Sequence, residues 1–311
     1  MTLTELRYIV AVARERHFGR AAEACFVSQP TLSVAVRKLE EELDVSLFER
    51  LPGAVVVTPL GQRVVEQAQQ VLEAAAVIPQ LAAQGQDELA GVLRLGVIYT
   101  IGPYLLPYLI PLLRDRAPRM PLQIEENYTA VLSERLKQGE LDVLILALPF
   151  EEAGIRTQAL YEEPFVVVLP KGHRLERESV ITAQELARED LLLLGPGHCF
   201  RDQVLQACPE CHRTRISADN MQKTLEGGSL ETIRLMVATG MGVTVLPQTS
   251  VNNYPYPLEL LSSRPFADPA PRRVVALAWR KGFPRLKVIE VLAQAVLDCP
   301  LGEGVRRLAA A

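Results

Sequence analysis

The sequence predicts an α/β protein in three parts: an N-terminal winged helix-turn-helix, a linker helix, and a two-lobed α/β domain. Three observations predict it. Residues 1–60 repeat apolar side chains at helical spacing and close with a short alternating stretch. Residues 64–82 keep one apolar seam in steps of four and three. From Gly91 onward, short apolar runs alternate with helical segments. The expected boundaries are 1–60, 61–90 and 91–311.

In the first part, Leu3, Leu6, Ile9, Val10 and Ala13 place a helix. A turn is expected at His17-Phe18-Gly19, then AAEACF, then a second turn at Val27-Ser28. Ser28 is a good N-cap, Pro30 suits a first turn, and Leu32, Val36, Leu39 and Leu43 form the apolar stripe of the next helix. Short helices joined by a tight turn make a helix-turn-helix, and SLFERLPGAVVVTPLG reads as a hairpin wing beside it. Net charge does not by itself argue for nucleic acid, because residues 1–60 carry seven basic groups against eight acidic ones. Segregation does. Glu40, Glu41, Glu42 and Asp44 gather at the C-terminal end of the candidate reading helix. Its start carries Gln29, Pro30, Thr31, Ser33 and Arg37 without an acid, and that end would meet the bases. Arg50 is the one charged wing contact expected.

In the second part, Val64, Ala68, Val71, Ala75, Ile78 and Ala82 draw the seam of a coiled coil. Pro79 removes a backbone hydrogen bond and predicts a kink or stop near Ile78. In the third, VLRLGVI, PLQIEENY and LDVLILAL are strands separated by the helices GPYLLPYLIPLLRDRA and LSERLKQGE, a β-α-β-α-β parallel sheet. FVVVLP, DLLLLGPG, RTRISAD, GVTVLP and RRVVALAW supply further strands, with helices at SLETIRLMVATG and near 284–298. Two α/β units around a cleft, the last segment returning to the first, resemble periplasmic-binding-protein folds. No glycine-rich nucleotide fingerprint opens any of these helices, which argues against a Rossmann enzyme.

The 311 residues suffice for two or three domains with real cores. The N-terminus has neither the basic leader nor the cleavage site of a signal peptide, and no apolar stretch approaches the roughly 20 residues of a membrane span. A cytoplasmic protein with reduced thiols is expected. Five cysteines, an odd number, exclude a fully paired structural framework.

Three of those cysteines stand in GPGHCFRDQVLQACPECH, residues 195–212. A metal site, a haem attachment, a catalytic thiol and a redox pair all compete for the stretch. The C-x-x-C-H pattern at Cys208 matches haem attachment, yet that chemistry is expected on exported chains. Against zinc, only one C-x-x-C is present where structural sites favour two. Cys199 lies at the start of the helix FRDQVLQAC beside His198 and Arg201, where cations or a helix N-terminus would favour the thiolate.

FGRAAEACFVSQPTLSVAVRKLEEELDVSLFER followed by TPLG resembles the N-terminal domain of LysR-type transcriptional regulators. GHCFRDQ with Cys208 nine residues on, VIYTIGPYL around Thr100, IEENYT at Thr129 and PRRVVALAWR with Arg273 are similar to the peroxide-sensing branch of that family. The resemblance implies a winged helix-turn-helix, a dimerising linker helix and a two-lobed periplasmic-binding-protein-like effector domain. It implies Cys199 as peroxidatic and Cys208 as resolving thiol, with Thr100, Thr129, His198 and Asp202 holding the peroxide and Arg273 stabilising the thiolate. Relatives carry a histidine shortly before the SLET helix; Thr224 falls there in this chain, after an insertion containing Cys211 and His212. The implied partners are promoter DNA, RNA polymerase, hydrogen peroxide, a thiol-reducing system and further copies of the chain, as a homodimer or homotetramer. No cofactor, metal, membrane or enzymatic turnover is expected. Two alternatives stand beside this reading: a metabolite-responsive LysR-type regulator with incidental cysteines, and a zinc or thiol-peroxidase site using Cys199, Cys208, Cys211 and His198. Thr100 and Thr129 could equally cap helices, Arg201 and Asp202 could be a surface pair, and Cys25 and Cys299 are read as having no role.

Phe200, Val204, Leu205 and Cys208 recur at helical spacing. In such a helix the Cα atoms of Cys199 and Cys208 stand roughly 13 Å apart at 1.5 Å per residue. A disulfide tolerates about 4.4–6.8 Å, so this helix must unwind before the two sulfurs can join.

Overall fold

The structure, a computed structural model, describes residues 1–51, 54–83, 87–209, 226–252 and 259–308. Two compact units divide the chain, one formed chiefly by Met1–Gln86 and the other by the remainder. Among the described residues no helix is long and apolar enough to cross a membrane.

The first unit opens with α1 (Leu3–Glu15), started by a capping box in which Thr2 and Glu5 serve each other. α2 (Phe18–Ala24) begins one residue after His17, whose Nδ1 accepts from the Gly19 and Arg20 amides. The expected turn at His17-Phe18-Gly19 is therefore an N-cap and the first residues of a helix. α3 (Gln29–Leu43) is capped by the Ser28 hydroxyl, which accepts from the Thr31 amide at 3.3 Å. Leu32, Val36 and Leu39 are fully buried against Ile9, Val12 and Ala21, while Leu43 falls outside the stripe at the helix end, 38% exposed. The wing is β1 (Phe48–Leu51) paired antiparallel with β2 (Ala54–Val57). Glu40 is tied to this wing, since its Oε1 accepts from the Leu47 and Phe48 amides at 2.7 and 3.1 Å.

α4 (Pro59–Ala83) follows, with Thr58 Oγ1 accepting from the Gly61 amide. A Cβ at Gly61 would stand 2.2 Å from the Leu47 carbonyl oxygen, which explains the glycine of TPLG. The helix runs through position 79 to Ala83, so the stop expected at Ile78 does not occur. One missing hydrogen bond in a 25-residue helix leaves the remaining ladder to carry the chain onward. Val65 and Ala68 are buried within the unit, whereas Val71 and Ile78 of the seam are 38% and 67% exposed.

The second unit begins with β3 (Leu93–Ile98), α5 (Gly102–Arg116), β4 (Leu122–Asn127), α6 (Thr129–Lys137) and β5 (Val143–Ala147). β3 pairs parallel with both β4 and β5, as the β-α-β-α-β pattern requires. FVVVLP proves to be only the end of a 16-residue strand, β6 (Ile155–Pro170). The sequence hid its first half because Arg156, Thr157 and Gln158 follow one another there and burial begins only at Leu160 and Tyr161. β6 serves both lobes: Leu160 and Tyr161 enter the first core, Phe165 to Leu169 the second.

Next come α7 (Ala183–Leu186), β7 (Leu191–Leu194), α8 (Cys199–Ala207), β8 (Glu226–Gly227), α9 (Leu230–Ala238) and β9 (Val243–Pro247). α10 (Gln248–Asn252), β10 (Leu261–Pro265), β11 (Arg272–Arg280), α11 (Leu286–Asp298) and β12 (Arg306–Arg307) complete the described elements. Among the described residues one sheet runs β4-β3-β5-β11-β6-β9-β7-β8, with β10 and β12 also on β6. β11 returns antiparallel between β5 and β6, and α11 packs on α5, so the last segment does rejoin the first lobe. The strand expected at RTRISAD lies outside the described residues.

Candidate functional site

Two surfaces gather the residues singled out by the sequence. On the first unit, Gln29, Pro30, Thr31 and Arg37 are exposed along the outer face of α3, and Ser33 is half-buried. Val34, which sequence reasoning passed over, is 67% exposed on the same face. Arg50 lies in β1 opposite Val55.

The second surface is internal. Register places Ile98 of β3 beside Asn127 of β4, so the residues leaving the two strands, Tyr99–Thr100 and Tyr128–Thr129, stand side by side. β7 leads through Gly197 to α8, whose N-cap is His198 and whose first residue is Cys199. These three strand exits enclose a cavity of about 10 Å³ lined by Thr100, Thr129, His198 and Cys199 together with the two tyrosines. α8 has no side-chain cap, which leaves its first amides to serve a negative group.

Two polar atoms of the lining are buried and unsatisfied. Thr129 Oγ1 and His198 Nε2 are buried without a hydrogen-bond partner. Burial pushes the His198 imidazole below the ordinary histidine range, partly offset by its hydrogen bond to the Gly228 backbone. With that bond on the other ring nitrogen, Nε2 of the neutral ring keeps an unpartnered lone pair.

Thr100 is held from behind. The Arg273 guanidinium donates to Thr100 Oγ1 at 2.8 Å and to its carbonyl at 3.0 Å. Arg273 Nε donates to Glu163 Oε1 at 2.8 Å, and Glu163 Oε2 accepts from the Thr249 amide and hydroxyl. Both charged side chains are fully buried, and the guanidinium lies 5.2 Å over the Phe200 ring. Arg273 thus spends its donors on Thr100 and Glu163, and acts at the cavity through them. Because Thr100 Oγ1 accepts from Arg273, its own hydroxyl hydrogen remains to donate. Glu163 was missed from the sequence; its signal was a charged residue at an inward position of an alternating strand.

Other expected residues stand apart. Asp202 is exposed in the first turn of α8, outside the cavity lining. Arg201 donates to the Leu194 carbonyl at 2.7 Å. Thr224, Cys211 and His212 lie outside the described residues. Cys199 is a free thiol, as are Cys25 and Cys299. Burial raises the Cys25 thiol and pushes Cys299 up to about 11, away from the thiolate form. Cys208, the C-cap of α8, is fully buried and disulfide-bonded, and its partner is not the free Cys199. Among the described residues no group of histidine, cysteine and carboxylate side chains could hold a metal.

Residues 3–62 match the bacterial regulatory helix-turn-helix protein family, lysR type, and residues 86–299 match the LysR substrate binding domain. A probable hydrogen peroxide-inducible genes activator of Streptomyces viridosporus is 42% identical, over 96% of this chain and 94% of its own length. The DNA-binding transcriptional dual regulator OxyR of Escherichia coli K12 is 39% identical, over 95% of each chain. The solved structure of full-length OxyR C199D from Pseudomonas aeruginosa is 51% identical, covering 100% of this chain and 99% of its own, with a TM-score of 0.74. The chain belongs to the LysR family of bacterial helix-turn-helix regulators, in its OxyR branch.

Proposed function

We propose that this chain is a DNA-binding transcriptional regulator that senses hydrogen peroxide by oxidation of Cys199 and disulfide formation with Cys208. The observation that carries the reading is the small buried cavity in which Cys199 meets the unpartnered Thr129 Oγ1 and His198 Nε2. At about 10 Å³ it suits an occupant near the size of water, far below the roughly 300–1,000 Å³ of metabolite sites. That size counts against a metabolite at Cys199.

Hydrogen peroxide has two hydroxyl groups that can donate to His198 Nε2 and Thr129, and oxygens that can accept from Thr100. The Cys199 thiolate attacks one oxygen; the S–O bond forms as the O–O bond breaks, and the departing hydroxide takes a proton to become water. The Cys208 thiolate then attacks the sulfenic sulfur, expelling a second hydroxide and closing the disulfide. That second step uses Cys208 as a reduced thiol. The α8 helix must also unwind, since its rise keeps the two Cα atoms roughly 13 Å apart. Such a refolding element can bias the arrangement of the whole regulator. One peroxide consumed per slow re-reduction makes the disulfide a signal rather than a turnover intermediate.

On this reading α3 binds promoter DNA, and the exposed Val71 and Ile78 of α4 meet a second copy of the chain in a homodimer or homotetramer. The protein works in the cytoplasm with RNA polymerase and a thiol-reducing system. The test is non-reducing peptide mass mapping of pre-reduced protein after a stoichiometric dose of peroxide. A Cys199–Cys208 linked peptide is expected, retained in Cys211→Ser and lost in Cys208→Ser. Linkage of Cys199 to Cys211 instead, or no oxidation of Cys199, would overturn it.

A further inference from the structure

The tyrosines at the two strand exits have no part in the chemistry above, yet they line the cavity. Parallel pairing of β3 and β4 puts them next to each other, with ring centroids 5.4 Å apart and ring planes at 81°. The His198 ring closes the triangle, 4.7 Å from Tyr128 and 5.9 Å from Tyr99. Tyr128 is in edge-to-face contact with both Tyr99 and His198, and Tyr99 is tilted against His198. Gly197, at φ +94°, backs Tyr128; a Cβ there would stand 3.3 Å from the ring. His198 is 5% exposed, whereas each tyrosine is about 37% exposed, so these two rings reach from the cavity to solvent.

We propose that Tyr99 and Tyr128, packed on His198, form a size-selecting aperture that admits hydrogen peroxide to Cys199 and excludes hydroperoxides bearing an organic substituent. The inference rests on the peroxide reading given above. An alkyl hydroperoxide offers the thiolate the same terminal oxygen. The S–O bond would form, the O–O bond would break, and an alkoxide would leave and take the proton. The difference lies in the leaving oxygen, whose carbon substituent needs space that a cavity of about 10 Å³ ringed by three aromatic groups does not contain. Discrimination here is steric. The tyrosine hydroxyls take no part in it.

The test measures second-order rate constants for Cys199 oxidation by hydrogen peroxide and by tert-butyl hydroperoxide, using sulfenic-acid trapping on the reduced full-length protein. Wild type is compared with Tyr99→Ala, Tyr128→Ala, the double alanine variant, Tyr99→Phe and Tyr128→Phe. The quantity read is the ratio of the two rate constants. The double alanine variant should shift that ratio toward the organic hydroperoxide by about tenfold or more, the scale on which one added carbon group is discriminated by a pocket. The phenylalanine variants should keep the wild-type ratio, because they keep the rings. An unchanged ratio in every alanine variant overturns the aperture while leaving peroxide sensing intact. A ratio that shifts equally in the phenylalanine variants overturns it too, because the hydroxyls would then be responsible. Failure of hydrogen peroxide to oxidise Cys199 in wild type would instead defeat the underlying reading.

Discussion

The α3 surface and the Cys199 cavity treat polar side chains in opposite ways. On α3, Gln29, Thr31 and Arg37 project into solvent from a helix whose apolar stripe is spent on the core. Around Cys199, Thr100 and His198 are withdrawn from water, and a buried ion pair is spent on holding one of them. Water satisfies the first set until a partner arrives. In the second set every unmet hydrogen bond raises the energy of the folded chain and so favours a small polar occupant. An exposed face can lose a residue and still fold, whereas a buried polar cluster ties what it holds to the stability of the chain.

The largest effect that would sharpen this contrast is expected at Arg273. Arg273→Met removes the cation and leaves Glu163 buried on Thr249 alone, a change typically costing about 3–5 kcal/mol. Chemical denaturation of the second unit should show that loss, and Glu163→Gln with Arg273→Met should recover part of it. A stable Arg273→Met protein with normal peroxide oxidation would break the contrast.

A smaller effect is expected on DNA. Gln29→Ala and Arg37→Ala should each weaken specific binding by about 1–3 kcal/mol, with the thermal stability and oligomeric state unchanged. Footprints like wild type from both variants would mean that α3 is not the reading helix, and loss of folding would erase the distinction between the two surfaces.

The smallest effect concerns pH. The folded value of His198 lies below its unfolded value, so the unfolded chain binds the proton more readily. The contribution of neutral His198 is therefore full above about pH 6.5 and is lost as pH falls from there toward the folded value. Thermal melts from pH 7.5 to 5.5 should fall more steeply for wild type than for His198→Asn. Parallel curves would show that this ring pays nothing for its burial.

Sequence reading reached the two surfaces unequally, for physical reasons. Caps and stripes act over three or four residues, so Ser28, Leu32, Val36 and Leu39 were legible at once. Thr100, Thr129, His198 and Cys199 came through resemblance, and the structure brings all four to one cavity. The contacts that hold them were not legible. Arg273 meets Glu163 across 110 positions and Thr100 across 173, and no local pattern encodes such pairs. The tyrosine pair depends on the register between β3 and β4, which is likewise non-local. The stop expected at Pro79 failed for the opposite reason: a local rule about one hydrogen bond was applied to a helix long enough to absorb its loss.

The nine residues of α8 also impose a waiting time. On the proposed function, oxidised Cys199 would have to persist until Phe200 and Val204, both nearly fully buried, leave the second core and the chain between the cysteines shortens. During that interval a second peroxide can carry the sulfur on to the irreversible sulfinic acid. The frequency of helix opening therefore sets a ceiling on the oxidant level that can be reported faithfully. Below it each exposure is recorded as a reversible bond; above it a growing share of molecules is retired. A better-packed α8 would make a more stable regulator with a lower ceiling.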